Sequence, residues 1–363
     1  MIWIKQNSPL LFIVIVALLS NYYRVYGKTV INENKHEIES YKEPRQPFFD
    51  IRALHLTLRK STGNHDLVKQ TKEDVIRTIQ KVHEHGFNTL ILGVSCAIHL
   101  KKTPKFSSKW AYSIKDIKEI IAVAREQGMD IIAEVKLLTH QKLLMLQINK
   151  ELMLNEDTYD PSQPKVYEII YPILDEIIEI FQPKYIHIGH DEVFSIRNPN
   201  KLLNSSFFRK EMLNPEDYLA DVVRIYKYLK SRDVGTMMWA DMLLDPVIFG
   251  NKYDGASVNG YNGYAKLINY IPKDIILCDW HYFGKSAEFP TYTYLQKQGF
   301  TVWGAVWKEP KTIKDFSAYV AKYARKGEGM IATTWWPFVI QDRETIDLIL
   351  ETSSKAFFKE NEN

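Results

Sequence analysis

One unit recurs along the chain from Phe49 onward: an amphipathic helix, a Gly or Pro stop, then a short apolar strand. This repetition constrains the fold more than any other feature. Apolar strands separated by helices pair in parallel and need helices to cover the sheet. Residues 50–58 (DIRALHLTL) alternate and read as a first strand. Thr71 then caps a helix, with Asp74 in the capping-box position and Val75, Ile79 and Val82 on one face. Gly86 stops that helix ahead of a second strand at 89–94 (TLILGV). Ser113 and Asp116 repeat the box, Ile117, Ile120, Ile121 and Ala124 form the stripe, and Gly128 precedes a strand at 129–135. The unit returns as helix 167–181 with strand 184–189, and as helix 215–231 with strand 236–240. Strands at 274–280, 299–306 and 329–335 and a last helix over 343–358 complete eight strands. Eight such units predict a single-domain α/β fold, a (β/α)8 or TIM barrel. The alternative, a doubly wound open sheet, wants a Gly-rich phosphate loop after its first strand, where this chain has Arg59-Lys60-Ser61-Thr62-Gly63.

Ahead of the barrel, Lys5 and the apolar run 10–19 (LLFIVIVALL) read as an export signal. A bilayer span needs about 20 apolar residues, twice this run. Val25-Tyr26-Gly27 offers a cleavage point, so residues 1–27 are expected to be a signal peptide, with an uncleaved signal anchor as the alternative. Residues 28–47, polar and carrying Pro44 and Pro47, read as a linker to a catalytic domain over 48–363. The expected location is therefore exported: periplasmic, extracellular or luminal. No other segment is long and apolar enough to meet a membrane. Lys and Arg number 47 against 44 Asp and Glu, and this small surplus argues against a nucleic-acid partner. Two cysteines, Cys96 and Cys278, make neither a disulfide framework nor a zinc site and read as buried thiols on strands 2 and 6.

A barrel of this kind carries its chemistry at the C-terminal ends of its strands. Strand 4 ends in His187-Ile188-Gly189-His190-Asp191-Glu192-Val193. An Asp-Glu pair alone also caps helices, but at a strand end two adjacent carboxylates drive their proton affinities apart, leaving one acid and one anion. The run resembles the His-Ile-Gly-x-Asp-Glu-Val signature of the β-N-acetylhexosaminidases of glycoside hydrolase family 20, and the similarity extends loosely over residues 48–357. The resemblance implies a (β/α)8 catalytic barrel that removes β-linked N-acetylhexosamine from a glycan or glycoconjugate, without cofactor or metal. It implies Glu192 as general acid/base and Asp191 as the group that orients the substrate's 2-acetamido function. The acetamide oxygen, not a protein side chain, would attack the anomeric carbon with retention.

Further positions follow from the same resemblance. Arg52 matches an arginine that forks two sugar hydroxyls, a task suited to a planar guanidinium; a structural ion pair at the barrel bottom is its other reading. The family carries a Pro-Glu and then Asp-x-Pro-Gly-His after strand 3; here Glu134 and His140 remain, and His140 would hold a hydroxyl or the dyad. Trp239 and Asp241 resemble its Trp-x-acid, and Tyr282, after Trp280, would hydrogen bond the acetamido oxygen. Trp239, Trp280, Trp303, Trp307, Trp335 and Trp336, six of eight tryptophans, fall on or just past the last four strands. Such rings suit the apolar faces of a sugar. Residues 254–264 (DGASVNGYNGY) are expected to form an adaptable rim. The chain departs from the pattern in three ways. No Asp follows Tyr282 by two, no acid follows Trp335 by two, and His190 replaces a small residue. Two other readings stay open: a catalytically silent glycan-binding barrel, and a metal hydrolase using His55, His187, His190 and Asp191.

Overall fold

Eight parallel strands hydrogen bond in chain order, and the last closes on the first. The computed structural model describes residues 46–58, 70–193, 213–250, 257–283, 286–335 and 343–359. The expected signal segment and all but the end of the linker lie outside them. The strands are β1 Ile51–Thr57, β2 Thr89–Gly93, β3 Asp130–Leu137, β4 Tyr185–Gly189, β5 Gly235–Trp239, β6 Ile276–Trp280, β7 Val302–Val306 and β8 Gly329–Thr334. Each falls on a segment the sequence marks as a strand. The longer helices around them are α1 Lys72–Glu84, α2 Ile114–Glu126, α3 Pro164–Phe181, α4 Pro215–Lys230, α5 Pro290–Lys297, α6 Pro310–Tyr323 and α7 Arg343–Ala356. Both capping boxes form: Thr71 with Asp74, and Ser113 with Asp116. Between β5 and β6 the described connection carries short pieces, a helix at Pro246–Phe249 and 3-10 segments at Asp241–Leu243 and Tyr261–Asn269.

Strand side chains alternate between two cores. Ala53, Ile91, Ile132, Met237, Ile276, Cys278 and Ile331 point into the barrel with Trp239 and Trp280. Their neighbours Leu54, Leu56, Leu90, Leu92 and Leu277 point outward onto the helices. Cys278 is thus a buried interior residue of β6, whereas Cys96 is only half-buried and lies in the turn past β2, not on that strand.

Arg52 is not at the expected end of the barrel. It is the second residue of β1, at the N-terminal end of the strand, and follows Ile51, which packs with the inner core. Its Nε donates to the Gly86 carbonyl at 2.8 Å, its Nη1 to Phe49 at 2.6 Å, and its guanidinium lies 5.1 Å over the Phe358 ring. Here it ties together the two ends of the described chain. The Phe48 amide donates to Phe357 and the Lys359 amide to Gln46. The buried Phe357 ring packs on Phe49 and Phe87.

Candidate active site

Where β4 leaves the barrel its backbone turns sharply. Gly189, His190 and Glu192 have φ of 76°, 65° and 48°, in the left-handed region that disfavours side chains with a Cβ. Contacts from three directions hold this turn. His190 Nε2 lies 2.8 Å from Asp221 Oδ2 on α4, and the Tyr218 hydroxyl donates to the His190 carbonyl at 3.0 Å. Thr139 Oγ1, past β3, donates to the Asp191 carbonyl at 2.7 Å. The Glu192 amide donates to Asp241 Oδ2, past β5, at 3.0 Å. The turn sends Asp191 and Glu192 into the barrel mouth while His190 points out toward the helices.

Asp191 has a cationic neighbour. His140 Nε2 lies 3.1 Å from Asp191 Oδ2 and 4.0 Å from Glu192 Oε2. Burial would lower the affinity of His140 for a proton, but the Asp191 charge and hydrogen bond raise its pKa to about 9. Burial likewise pushes Asp191 up, and His140 and Lys136 together outweigh it, so its pKa lies below the usual value. The result is an imidazolium paired with a carboxylate at neutral pH. Asp241 is the opposite case. It is buried, repelled by Asp191, and its Oδ1 has no hydrogen-bond partner among the described residues. Desolvation first, then that repulsion, raise its pKa to about 7, although Asn259 and the Glu192 amide bond its Oδ2.

Asp191, Glu192 and His140 face aromatic rings across a cavity of about 330 Å³. Trp239, Trp280, Tyr282 and Trp335 wall it, with Phe283, Trp307 and Lys136 at its edge. Trp239 and Trp335 meet at 5.6 Å between centroids, and Trp280 stacks on Tyr282 at 4.8 Å. Beneath Trp239 lies a buried polar layer: Glu134 Oε2 is 2.8 Å from His55 Nε2, and His187 Nδ1 is 3.8 Å from Glu134 Oε1. Burial pushes Glu134 up, but His55 beside it holds its carboxyl well below the usual range. Desolvation takes His187 down to about 4, so it is neutral.

Seven of the residues singled out from sequence therefore share one cavity: Asp191, Glu192, His140, Trp239, Trp280, Tyr282 and Trp335. Asp241 lies directly behind Glu192 and, 1% exposed, grips its amide instead of facing the cavity. Of the other tryptophans, Trp307 joins the cavity, Trp336 lies outside the described residues, and Trp303 is misplaced. Trp303, the second residue of β7, lines a separate hollow at the strands' N-terminal ends, where its Nε1 donates to the Gly327 carbonyl. The described part of the expected rim is divided: Ser257, Val258 and Asn259 are at most 2% exposed, with Asn259 donating to Asp241 at 2.6 Å, whereas Tyr261 and Asn262 are exposed. Lys136 and Asn259 are missing from the sequence-derived set. Strand parity would have found Lys136, two residues beyond the inward-facing Glu134.

The histidines considered as metal ligands diverge, with His55 and His187 inside the barrel on Glu134 and His190 outside it on Asp221. Among the described residues, His140, Asp191 and Glu192 alone bring three donor atoms within 4.8 Å. His140 Nε2 is already engaged with Asp191 Oδ2 at 3.1 Å. Within the trio His140 and Asp191 form a hydrogen-bonded acid-base pair, with Glu192 4.0 Å from the ring.

The model of the glycosyl hydrolase family 20 catalytic domain matches residues 92–350, more than half of the chain. The chain belongs to glycosyl hydrolase family 20. Among its family 20 relatives, β-hexosaminidase 1 of Coccidioides posadasii is 20% identical over 265 residues, covering 65% of this chain and 40% of that protein. The exo-β-N-acetylglucosaminidase of Vibrio harveyi superposes with a TM-score of 0.62 at 16% identity, over 87% of this chain and 55% of that one. The chitobiase of Flavobacterium johnsoniae gives 0.61 at 18% identity, over 87% and 49%. This family 20 chain thus spans about half the length of these proteins.

Proposed function

We propose that the chain is an exported retaining β-N-acetylhexosaminidase that works by substrate assistance. The observation that carries this reading is a carboxylate held anionic by His140, beside a second carboxylate, at the mouth of an aromatic cavity. The walls, Tyr282 among them, suit a sugar ring and an acetamido methyl. Glu192 donates its proton to the glycosidic oxygen as the acetamide oxygen bonds to the anomeric carbon and the C–O bond to the leaving alcohol breaks. The resulting oxazolinium carries positive charge, which the Asp191 carboxylate stabilises through the acetamide N–H. Water then adds to the anomeric carbon, gives its proton to Glu192, and restores the acetamide with the starting configuration. The N-terminal apolar run adds export to the proposal.

Turnover of 4-nitrophenyl N-acetyl-β-glucosaminide and galactosaminide tests it. Glu192→Gln is expected to lower kcat/KM by about 10²- to 10⁴-fold, the usual worth of a general acid. Asp191→Asn should hurt acetamido substrates most, and proton NMR should show the β-anomer released first. Undiminished activity in Glu192→Gln, or an α-product, would overturn the assignment.

A further inference from the structure

Lys136 is the second cation of the cavity: its charge acts at a distance on Asp191 and Glu134, but among the described residues no carboxylate bonds its ammonium directly. It sits near the C-terminal end of β3, half-buried, its ammonium 4.9 Å over the Trp335 ring. Among the described residues it makes neither an ion pair nor a hydrogen bond. His140, the other cation, is matched by Asp191. A half-buried ammonium with no carboxylate in direct contact is costly to desolvate further, and a ligand that covered it without supplying an acceptor would bear that cost.

The departures of this chain from its family pattern point the same way. Counting back from His140, Lys136 occupies the Asp of Asp-x-Pro-Gly-His. The position two after Tyr282, an Asp in the pattern, is Gly284, and the position two after Trp335, an acid there, is Pro337. Three acids are gone and one base has arrived. Carboxylates serve as acceptors for neutral hydroxyls but repel a negatively charged sugar. Replacing them with apolar residues and an ammonium reverses that preference.

We propose that Lys136 sets the specificity of the cavity for an N-acetylhexosamine bearing an anionic substituent, such as an ester sulfate, an ester phosphate or a carboxylate. This inference rests on the hexosaminidase reading for the sugar but not for the reaction. A sugar lying on Trp335 is within reach of the Lys136 ammonium, which makes a charge-assisted hydrogen bond to the anionic oxygen.

Binding is measured by quenching of the protein's tryptophan fluorescence. The probes are N-acetylglucosamine, its 3-, 4- and 6-sulfates, its 6-phosphate, and N-acetylmuramic acid for the carboxylate. The wild-type protein is expected to bind at least one charged sugar about tenfold or more tightly than the neutral one. That ratio should shrink as NaCl rises from about 0.05 to about 0.5 M. Lys136→Met should abolish the ratio and Lys136→Arg should keep it. The ratio is the readout, because a lysine that served only to keep Asp191 ionised would, when lost, weaken neutral and charged sugars alike. Should Lys136→Met not fold, the wild-type preference, its salt dependence and Lys136→Arg still decide. Equal or weaker binding of every charged sugar by the wild type overturns the inference, as does a preference that survives Lys136→Met. Preferential binding without hydrolysis of any probe's aryl β-glycoside would sustain it and instead overturn the proposed reaction.

Discussion

Asp241 carries the least comfortable charge in the site. With its pKa raised from 3.8 to about 7, the folded protein holds a proton there that the unfolded chain releases. Between those two values the native state binds more protons than the unfolded one, so stability falls as pH rises, and the full burden is present above about 7. For one proton the slope reaches about 1.4 kcal/mol per pH unit. Asp241→Asn can still accept the Glu192 amide but cannot ionise. Its urea midpoint is expected to lose this slope between pH 4 and about 7, and to gain on wild type above neutrality. Parallel stability profiles for the two proteins would show that Asp241 does not titrate as described. Asn259 explains why this acid was only half legible: a Gly/Asn/Tyr-rich segment reads as exposed, and nothing local signals that one of its amides is buried against a carboxylate.

The exit of β4 shows how an element pays for a turn that its side chains resist. His190 stands at φ 65°, where a glycine would sit without strain, and is held there by Asp221 of α4. Asp221 also accepts the Tyr159 and Tyr167 hydroxyls at 2.8 and 2.6 Å. Asp221→Ala would orphan two buried donors, the Tyr159 hydroxyl and His190 Nε2, and leave Tyr167 its bond to the Pro161 carbonyl; it is expected to cost at least about 2 kcal/mol by urea unfolding, at 1–3 kcal/mol per unsatisfied group. A loss under 1 kcal/mol would show that the network is not holding the turn. The strands themselves were readable because apolar runs, capping boxes and glycine stops all marked the same boundaries. The dyad was readable because it stands at a strand end. Arg52 was misread because its role depends on which end of a seven-residue strand it occupies, and the match to a pattern does not carry that information. Lys136 was passed over because it breaks the pattern, although alternation from Glu134 already aimed it into the mouth. His187 and His190 obeyed parity, one inside the barrel and one outside.

The barrel closes twice. β8 pairs with β1, and below that seam the segment after α7 returns to the segment before β1, with Pro47 bridging Phe358 and Arg52 over its ring. Phe357→Ala removes a fully buried ring from this clasp and is expected to cost about 3–5 kcal/mol of unfolding free energy. Arg52→Met should also lower the urea midpoint while leaving the KM for aryl substrates unchanged, since Arg52 lies at the opposite end from the cavity. A raised KM with unchanged stability would restore Arg52 to the sugar site. The filled interior carries a consequence for traffic. Under Trp239 the barrel is packed by His55, Glu134 and His187, and lower still by Met237, Ile276 and Trp303, all of them buried. Among the described residues the barrel below the site is filled, which leaves the strands' C-terminal end as its doorway. For the proposed reaction, the leaving alcohol must clear that doorway before water can enter. The freed sugar, lying deepest, departs last, so accumulated monosaccharide obstructs the next turnover.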